Sequence, residues 1–266
     1  MLTDLDAAHV PDVAPTEGAP GLLRKPRRDS TDTAPPIKVA PTTLQRCYAP
    51  LRRVGDFTAA LTLLVITGPI MALVAILVRL TSRGPAFYSQ ARTGRGGRMF
   101  TIYKIRTMVD NCESLTGPRW TMPGDPRITP IGWVLRRTHL DELPQLFNVI
   151  KGEMSLIGPR PERPEFVATL ERLLPGYAAR HRVLPGITGL AQVQLPPDTD
   201  IESVRNKLEY DLHFVRHGGP LLDLRIVLAT ALHICGMSFE RLRKLRIVPS
   251  PQPASESPPL LHRQAA

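Results

Sequence analysis

The sequence lacks the features of a disulfide scaffold, a zinc protein or an aromatic reader of nucleic acid. Its 266 residues contain three cysteines, Cys47, Cys112 and Cys235. They are odd in number and far apart, with no Cys-x-x-Cys metal spacing, so they read as reduced thiols in a protein facing the cytosol. Aromatics are only 5% of the chain. Neither a recognition-helix pattern nor a run of stacking aromatics is present, so no nucleic-acid partner is expected. Met1 to Ala8 carries Asp4 and Asp6 and has no basic segment leading into an apolar core, so no secretory signal is read there. Apolar periodicity is also missing from both ends. Residues 1–50 hold eight prolines and residues 249–266 hold five, and both segments are expected to be disordered.

What remains is long enough for one sizeable core, and it is basic. The formal charge is +10, while residues 1–50 balance six Lys/Arg against six Asp/Glu. The excess therefore sits between Leu51 and Val248, which suits a polyanionic partner: nucleic acid, a membrane surface or a phosphorylated substrate. Phe57 to Val78 is an uncharged apolar run. As a straight helix it would measure roughly 33 Å, enough to span a bilayer core. Gly68-Pro69 interrupts it, and arginines flank both ends (Arg52 and Arg53; Arg79 and Arg83). Proline removes a helix donor, and the positive-inside tendency keeps both flanks cytoplasmic. The pattern predicts a kinked, re-entrant helix over 51–83 that enters and leaves by the same leaflet. A buried core helix is the competing reading, disfavoured because such helices are rarely uncharged all round.

Beyond it, alternating strands at Ala86–Gln90 and Met99–Tyr103 flank a Gly94–Arg98 hairpin turn. Lys104 and Arg106 lie two apart, on one face if extended, where they would clamp a diphosphate or form a solvated edge. Asn111 to Gly124 reads as a flexible loop. Thr129 and Pro130 open a helix that Arg136 and Arg137 close. The adjacent carboxylates Asp141 and Glu142 follow, ahead of a short apolar helix ended by Lys151-Gly152. That helix starts either at a Thr138–Asp141 capping box or at Pro144. In both cases the carboxylates lie near a helix N-terminus, where amides favour phosphate. In Gly158-Pro-Arg-Pro161 the flanking prolines restrict Arg160, which suits bidentate phosphate recognition. Residues 163–174 and 176–183 have helical patterns, and 184–193 reads as a packed loop. Asp200 caps a helix whose Ile201, Val204, Leu208, Leu212 and Val215 share one face. Pro220 to Met237 is a further apolar helix, on the membrane surface or in the core.

Paired carboxylates suit Mg²⁺, which takes oxygen ligands and often only one or two from protein. Either carboxylate can also act as a nucleophile, with Arg136 and Arg160 holding the transferred phosphate. The plainer alternative is a pair of acids at an exposed helix start.

Several ordered motifs then narrow the choice. They are Arg53-Val-Gly-Asp56, Gly84-Pro85, Phe100-Thr-Ile-Tyr-Lys-Ile-Arg-Thr-Met108, Asp125-Pro-Arg-Ile-Thr129, Leu140-Asp-Glu-Leu-Pro-Gln145, Asn148 through Pro161, and Pro185-Gly-Ile-Thr-Gly-Leu-Ala-Gln192. Over about Leu51 to Ile234 the chain resembles the bacterial sugar transferases, the monotopic phosphoglycosyl transferases. With no further span ahead of Leu51, it resembles their short form. The resemblance implies a re-entrant membrane helix, an aspartyl nucleophile at Asp141, a Mg²⁺ site at Asp141 and Glu142, and a phosphate-binding arginine at Arg136. It also implies a nucleotide-sugar turn at Arg160 and Pro161. The reaction it implies takes a UDP-sugar, forms a phosphosugar on Asp141 and passes it to undecaprenyl phosphate with release of UMP. His139, Ile105 and Leu184 depart from the family pattern at its rim, which bears on sugar preference.

The fold class expected is mainly α with a small β-hairpin (α+β), a monotopic membrane protein with amphipathic interface helices. Residues 84–248 are expected to form the cytosolic catalytic domain, on the cytosolic face of the inner membrane. The partners expected are UDP-sugar, undecaprenyl phosphate and the bilayer, with a homo-oligomer left open. The alternative function is a membrane-anchored basic protein, without catalysis, that binds nucleic acid or scaffolds glycan assembly.

Overall fold

The computed structural model describes residues 41–251, apart from 115–116, 118–120 and 123. The disorder expected of the two ends therefore falls mostly on residues 1–40 and 252–266, outside the described residues, as does part of the loop expected at Asn111–Gly124.

The first helix, α1, runs from Thr43 to Thr81 and begins ahead of the Leu51 boundary expected from sequence. Proline content misleads here, because local capping and distant partners both favour helix. The Thr42 hydroxyl accepts from the Gln45 amide while the Gln45 side chain accepts from the Thr42 amide, satisfying two orphan donors. Downstream, Tyr48 donates to Asp223 at 3.0 Å. The helix is unbroken through Gly68-Pro69. Its threonine hydroxyls are satisfied internally, Thr58 by Val54, Thr62 by Thr58 and Thr67 by Leu63. Only 17% of its most apolar eighteen-residue window is buried. Leu61, Val65, Ile66, Leu73, Ile76 and Leu80 face outward. The core-helix alternative is therefore not what forms. Among the described residues, this is the one helix long and apolar enough to cross a membrane.

Both halves of α1 are fastened to the rest of the chain. Ala60 and Leu64 pack with Ile102, Leu146, Val149 and Met154. Val74 and Val78 pack with Ile105 and Leu135.

The hairpin forms as predicted, with longer strands. β1 (Phe87–Thr93) pairs antiparallel with β2 (Met99–Ile105), Phe87 opposite Ile105 and Thr93 opposite Met99. α2 (Pro130–Thr138) starts at the expected Thr129 cap. α3 spans Gln145–Lys151 and α4 spans Pro164–Leu173. A second pairing was not predicted. β3 (Ser155–Ile157) and β4 (Gly186–Thr188) run parallel, so part of the expected loop at 184–193 is a strand. Each has three residues, too few to show alternation. The two strands approach so closely that a Cβ on Gly186 would fall on the Gly158 amide.

α5 (Ile201–His217) buries Val204, Leu208, Leu212 and Val215 as expected, while Ile201 is left at the rim. α6 (Pro220–Ile234) was expected either on a membrane surface or in the core. It buries Leu222, Ile226 and Ala229 yet exposes Leu221, Leu224, Val227 and Leu228, so it is apolar on both faces. A short α7 (Phe239–Lys244) follows and puts Leu242 into the same core cluster.

Candidate active site

The paired carboxylates sit where α2 turns into α3. Thr138 is the last residue of α2, and its hydroxyl donates back to the Val134 and Leu135 carbonyls. The Thr138–Asp141 capping box therefore does not form. His139 takes a left-handed conformation (φ 57°), uncommon for a residue with a side chain. Leu140–Glu142 then make one 3-10 turn, and α3 begins after Pro144, the second of the two predicted starts.

Four further side chains set the frame. Asn148 on α3 is fully buried and bonds the Tyr103 amide, the Thr101 carbonyl and Glu153, locking α3 to β2. Arg53 donates to the Val149 and Ile150 carbonyls at 2.6 and 3.0 Å, capping the end of α3. Arg52 reaches the Ser155 hydroxyl and the Ile157 carbonyl, and Asp56 accepts from the Leu156 amide. The root of the apolar helix thus grips the two segments that follow the acids.

Asp141 is 6% exposed, and no protein group among the described residues donates a hydrogen bond to its carboxylate. Burial, together with the charge of Glu142, pushes its pKa up to about 6 against the pull of Lys104, Arg136 and Arg160. Glu142 is the opposite case. Burial is outweighed by Arg160 and Lys104, which hold it well below the ordinary carboxylate range. Its Oε1 accepts from Lys104 Nζ at 2.9 Å and from Arg160 Nη2 at 2.5 Å, and its Oε2 from Arg160 Nη1 at 3.3 Å. Two neighbouring acids with pKa values driven apart are the arrangement expected where they take different roles.

Of the residues singled out in the sequence, the structure gathers Lys104, Arg136 and Arg160 around the two carboxylates. Arg136 reaches in from α2, half-buried, with its Nε donating to the Thr107 hydroxyl at 2.8 Å. Arg106 is not brought there. Its guanidinium is committed to the Ser82 hydroxyl and to the Ser82, Arg83 and Gly84 carbonyls in the turn that follows α1. Lys104 and Arg106 therefore do not share the face expected of them, and it is Arg160 that joins Lys104 on the Glu142 carboxylate. β2 stops at Ile105, so the alternation argument does not extend to Arg106.

The Gly158–Pro161 turn is pinned from several directions. The Pro159 carbonyl accepts from the Gly186 amide, that of Arg160 from Arg180 Nη2 at 2.8 Å, and that of Pro161 from Arg92 Nη1 at 3.0 Å. The Glu162 carbonyl accepts from the Thr93 amide. Glu162 itself pairs with the Lys207 ammonium at 2.7 Å. Nothing local in the sequence marks Thr107, Arg92 or Arg180, because each acts on a residue at least 20 positions away.

The donor set is two carboxylates, and no group of three or more His, Cys, Asp or Glu capable of holding a metal occurs among the described residues. Two hard oxygen ligands fit Mg²⁺, which completes its shell with water and phosphate, and do not make a closed structural zinc site.

Comparison with known proteins gives this geometry a family. Residues 47–237 match the model of the bacterial sugar transferases. An Aeromonas hydrophila UDP-N-acetylgalactosamine-undecaprenyl-phosphate N-acetylgalactosaminephosphotransferase is 43% identical over 183 residues, 69% of this chain and 43% of that protein. A Komagataeibacter xylinus undecaprenyl-phosphate glucose phosphotransferase is 41% identical over 184 residues, 67% of this chain and 35% of that protein. The exopolysaccharide production protein PSS of Rhizobium leguminosarum bv. phaseoli is 38% identical over 187 residues, 68% of this chain and 94% of that protein. The chain thus aligns with less than half the length of the first two relatives and nearly all of the third. With the match covering everything from the middle of the first α1 turns to the end of α6, the chain belongs to the bacterial sugar transferase family.

Proposed function

We propose that the chain transfers a sugar 1-phosphate from a UDP-sugar to undecaprenyl phosphate and releases UMP, as the initiating step of exopolysaccharide or O-antigen-type glycan assembly. The observation that carries this is Asp141: a buried carboxylate with no hydrogen-bond donor among the described residues, faced by Arg136, Lys104 and Arg160 and adjoining Glu142. The Aeromonas and Komagataeibacter relatives are named as undecaprenyl-phosphate phosphotransferases of N-acetylgalactosamine and of glucose, and the Rhizobium relative as an exopolysaccharide production protein.

In this reading an Asp141 oxygen attacks the phosphorus that bears the sugar. The bond from that phosphorus to the bridging oxygen breaks, and UMP leaves with the electron pair. An oxygen of the lipid phosphate then attacks the same phosphorus, freeing the Asp141 carboxylate and leaving a polyprenyl diphosphosugar. Arg136 and Arg160 hold phosphate oxygens as charge shifts between them. Asp141 and Glu142 would hold Mg²⁺, which when bound neutralises charge developing on the diphosphate. The upward pull on Asp141 also suits a general base for direct attack by the lipid phosphate. Incubating the protein with UDP-sugar alone decides between the two, since only the first route leaves a sugar phosphate on the protein.

The apolar helix supports a monotopic placement. Both its halves hold the same body of the protein, at Arg52 to Leu64 and again at Val74 to Val78, which suits entry and exit by one leaflet. That leaflet is the cytosolic one of the inner membrane, where nucleotide sugars are made. Detergent-solubilised protein with undecaprenyl phosphate, Mg²⁺ and a panel of UDP-sugars tests the whole proposal. UMP release is expected with one sugar and is abolished by EDTA. Asp141→Asn is expected to lower it at least about a thousandfold without unfolding. Substantial turnover by that variant would sink the nucleophile assignment.

A further inference from the structure

Arg160 reaches Glu142 from a turn whose backbone is fixed by groups that never touch the acids. The two peptide planes on either side of a residue set its φ and ψ, and so the direction of its Cα–Cβ bond. At Arg160 both planes are pinned, the first by the Gly186 amide on the Pro159 carbonyl and the second by Arg180 on the Arg160 carbonyl.

Arg180 is 2% exposed. Its Nε and Nη2 meet Asp211 at 2.9 and 2.7 Å, and its Nη1 donates to the Tyr177 hydroxyl at 2.9 Å. Asp211 on α5 is likewise buried, at 2%. A buried ion pair of this kind is a poor source of stability, because desolvation offsets the attraction and apolar replacements often do as well. What an apolar pair cannot supply is a rigid N–H aimed at the Arg160 carbonyl. The planar fork, held on two sides by Asp211 and Tyr177, has little freedom left.

We infer that Arg180, oriented by Asp211, is a positioning residue that sets the aim of Arg160 and through it the binding of the donor's phosphate. This rests on the proposed role of Arg160 in donor binding. The turn's prolines restrict their own φ and disfavour the helical region at Arg160, but they leave Arg160 a range of extended conformations. Arg180 selects within that range.

The test is the double variant Arg180→Met with Asp211→Val, which removes both charges and roughly keeps the combined volume. It is expected to fold and to melt close to the parent, while the KM for UDP-sugar rises about tenfold with a smaller change in kcat. Should that pair not fold, Arg180→Lys keeps the charge opposite Asp211 and loses the fork, and the same rise in KM is expected. In an Arg160→Ala background the double change is expected to add nothing further. A folded variant with unchanged KM, or an equal rise in both backgrounds, overturns the inference. Arg160→Ala alone separates the two layers: if it leaves KM intact, the donor-binding role of Arg160 fails. The aiming role then rests on melting shifts of the double variant and of Glu142→Gln. Non-additive shifts support it and additive ones overturn it.

Discussion

At Glu142 one carboxylate answers two half-buried cations, so its removal is felt beyond chemistry. Glu142→Gln leaves Lys104 and Arg160 with Asp141 as their remaining counter-charge. We expect a loss of about 1–2 kcal/mol in stability, the Arg160 side chain being 38% exposed to solvent, seen as a lower melting temperature, with Lys104→Met costing less because the Arg160 pair survives. A second residue-scale prediction concerns His181. Burial, and then the charge of Arg180, drives its pKa down from 6.5 to about 4. Its folded pKa is below its unfolded one, so the unfolded chain binds the extra proton between these values. Stability is full above pH 6.5 and falls as pH drops toward 4, by on the order of 3 kcal/mol, less whatever Glu171 at 3.9 Å returns to the protonated ring. His181→Gln is expected to flatten that slope in pH-dependent melting, and an unchanged slope would assign it to other groups.

Elements are placed here by close backbone approach. A Cβ on Gly132 would fall on the Thr107 carbonyl oxygen, which already accepts from the Thr129 amide and hydroxyl. α2 therefore lies directly against the end of β2, and that contact brings Arg136 to the Thr107 hydroxyl and toward Asp141. Gly132→Ala must lift α2. We expect a cost of about 1–3 kcal/mol in thermal stability and a fall in turnover larger than a surface alanine gives. The start of α2 was legible because its signals are local: Thr129 as cap, Pro130 in the first turn, arginines at the end. The 3-10 turn at Leu140–Glu142 was not, because it depends on His139 adopting a positive φ that its type does not favour.

At the scale of the molecule, the outward apolar surface of α1 is joined by the outer face of α6, with Leu221, Leu224, Val227 and Leu228. If α1 enters and leaves by one leaflet, Cys47 near its start and Cys235 after α6 lie on the same side, and both are exposed. In spheroplasts a membrane-impermeant maleimide is expected to label neither cysteine, and after lysis both. Labelling of Cys47 alone from outside would show a helix that crosses. The arginines at the root of α1 carry a related lesson. Arg52 and Arg53 read in sequence as a topology signal, yet their guanidinium groups are spent on Ser155, Ile157, Asp223, Val149 and Ile150. Charge count alone cannot distinguish a residue that stays in water from one that anchors a helix.

The sequence by itself determined what depends on neighbours a few positions apart: the apolar run, the hairpin, the caps of α2 and α5, and the adjacency of Asp141 and Glu142. Its ordered motifs were enough to assign the family. Only the tertiary structure decided which basic residues meet those acids. Lys104 arrives from β2, Arg136 from α2 and Arg160 from the turn after β3, while Arg106 is drawn off by carbonyls at the end of α1. An arginine goes where unpaired oxygens and burial make its hydrogen bonds strongest, and those oxygens are brought together by chain segments far apart in sequence.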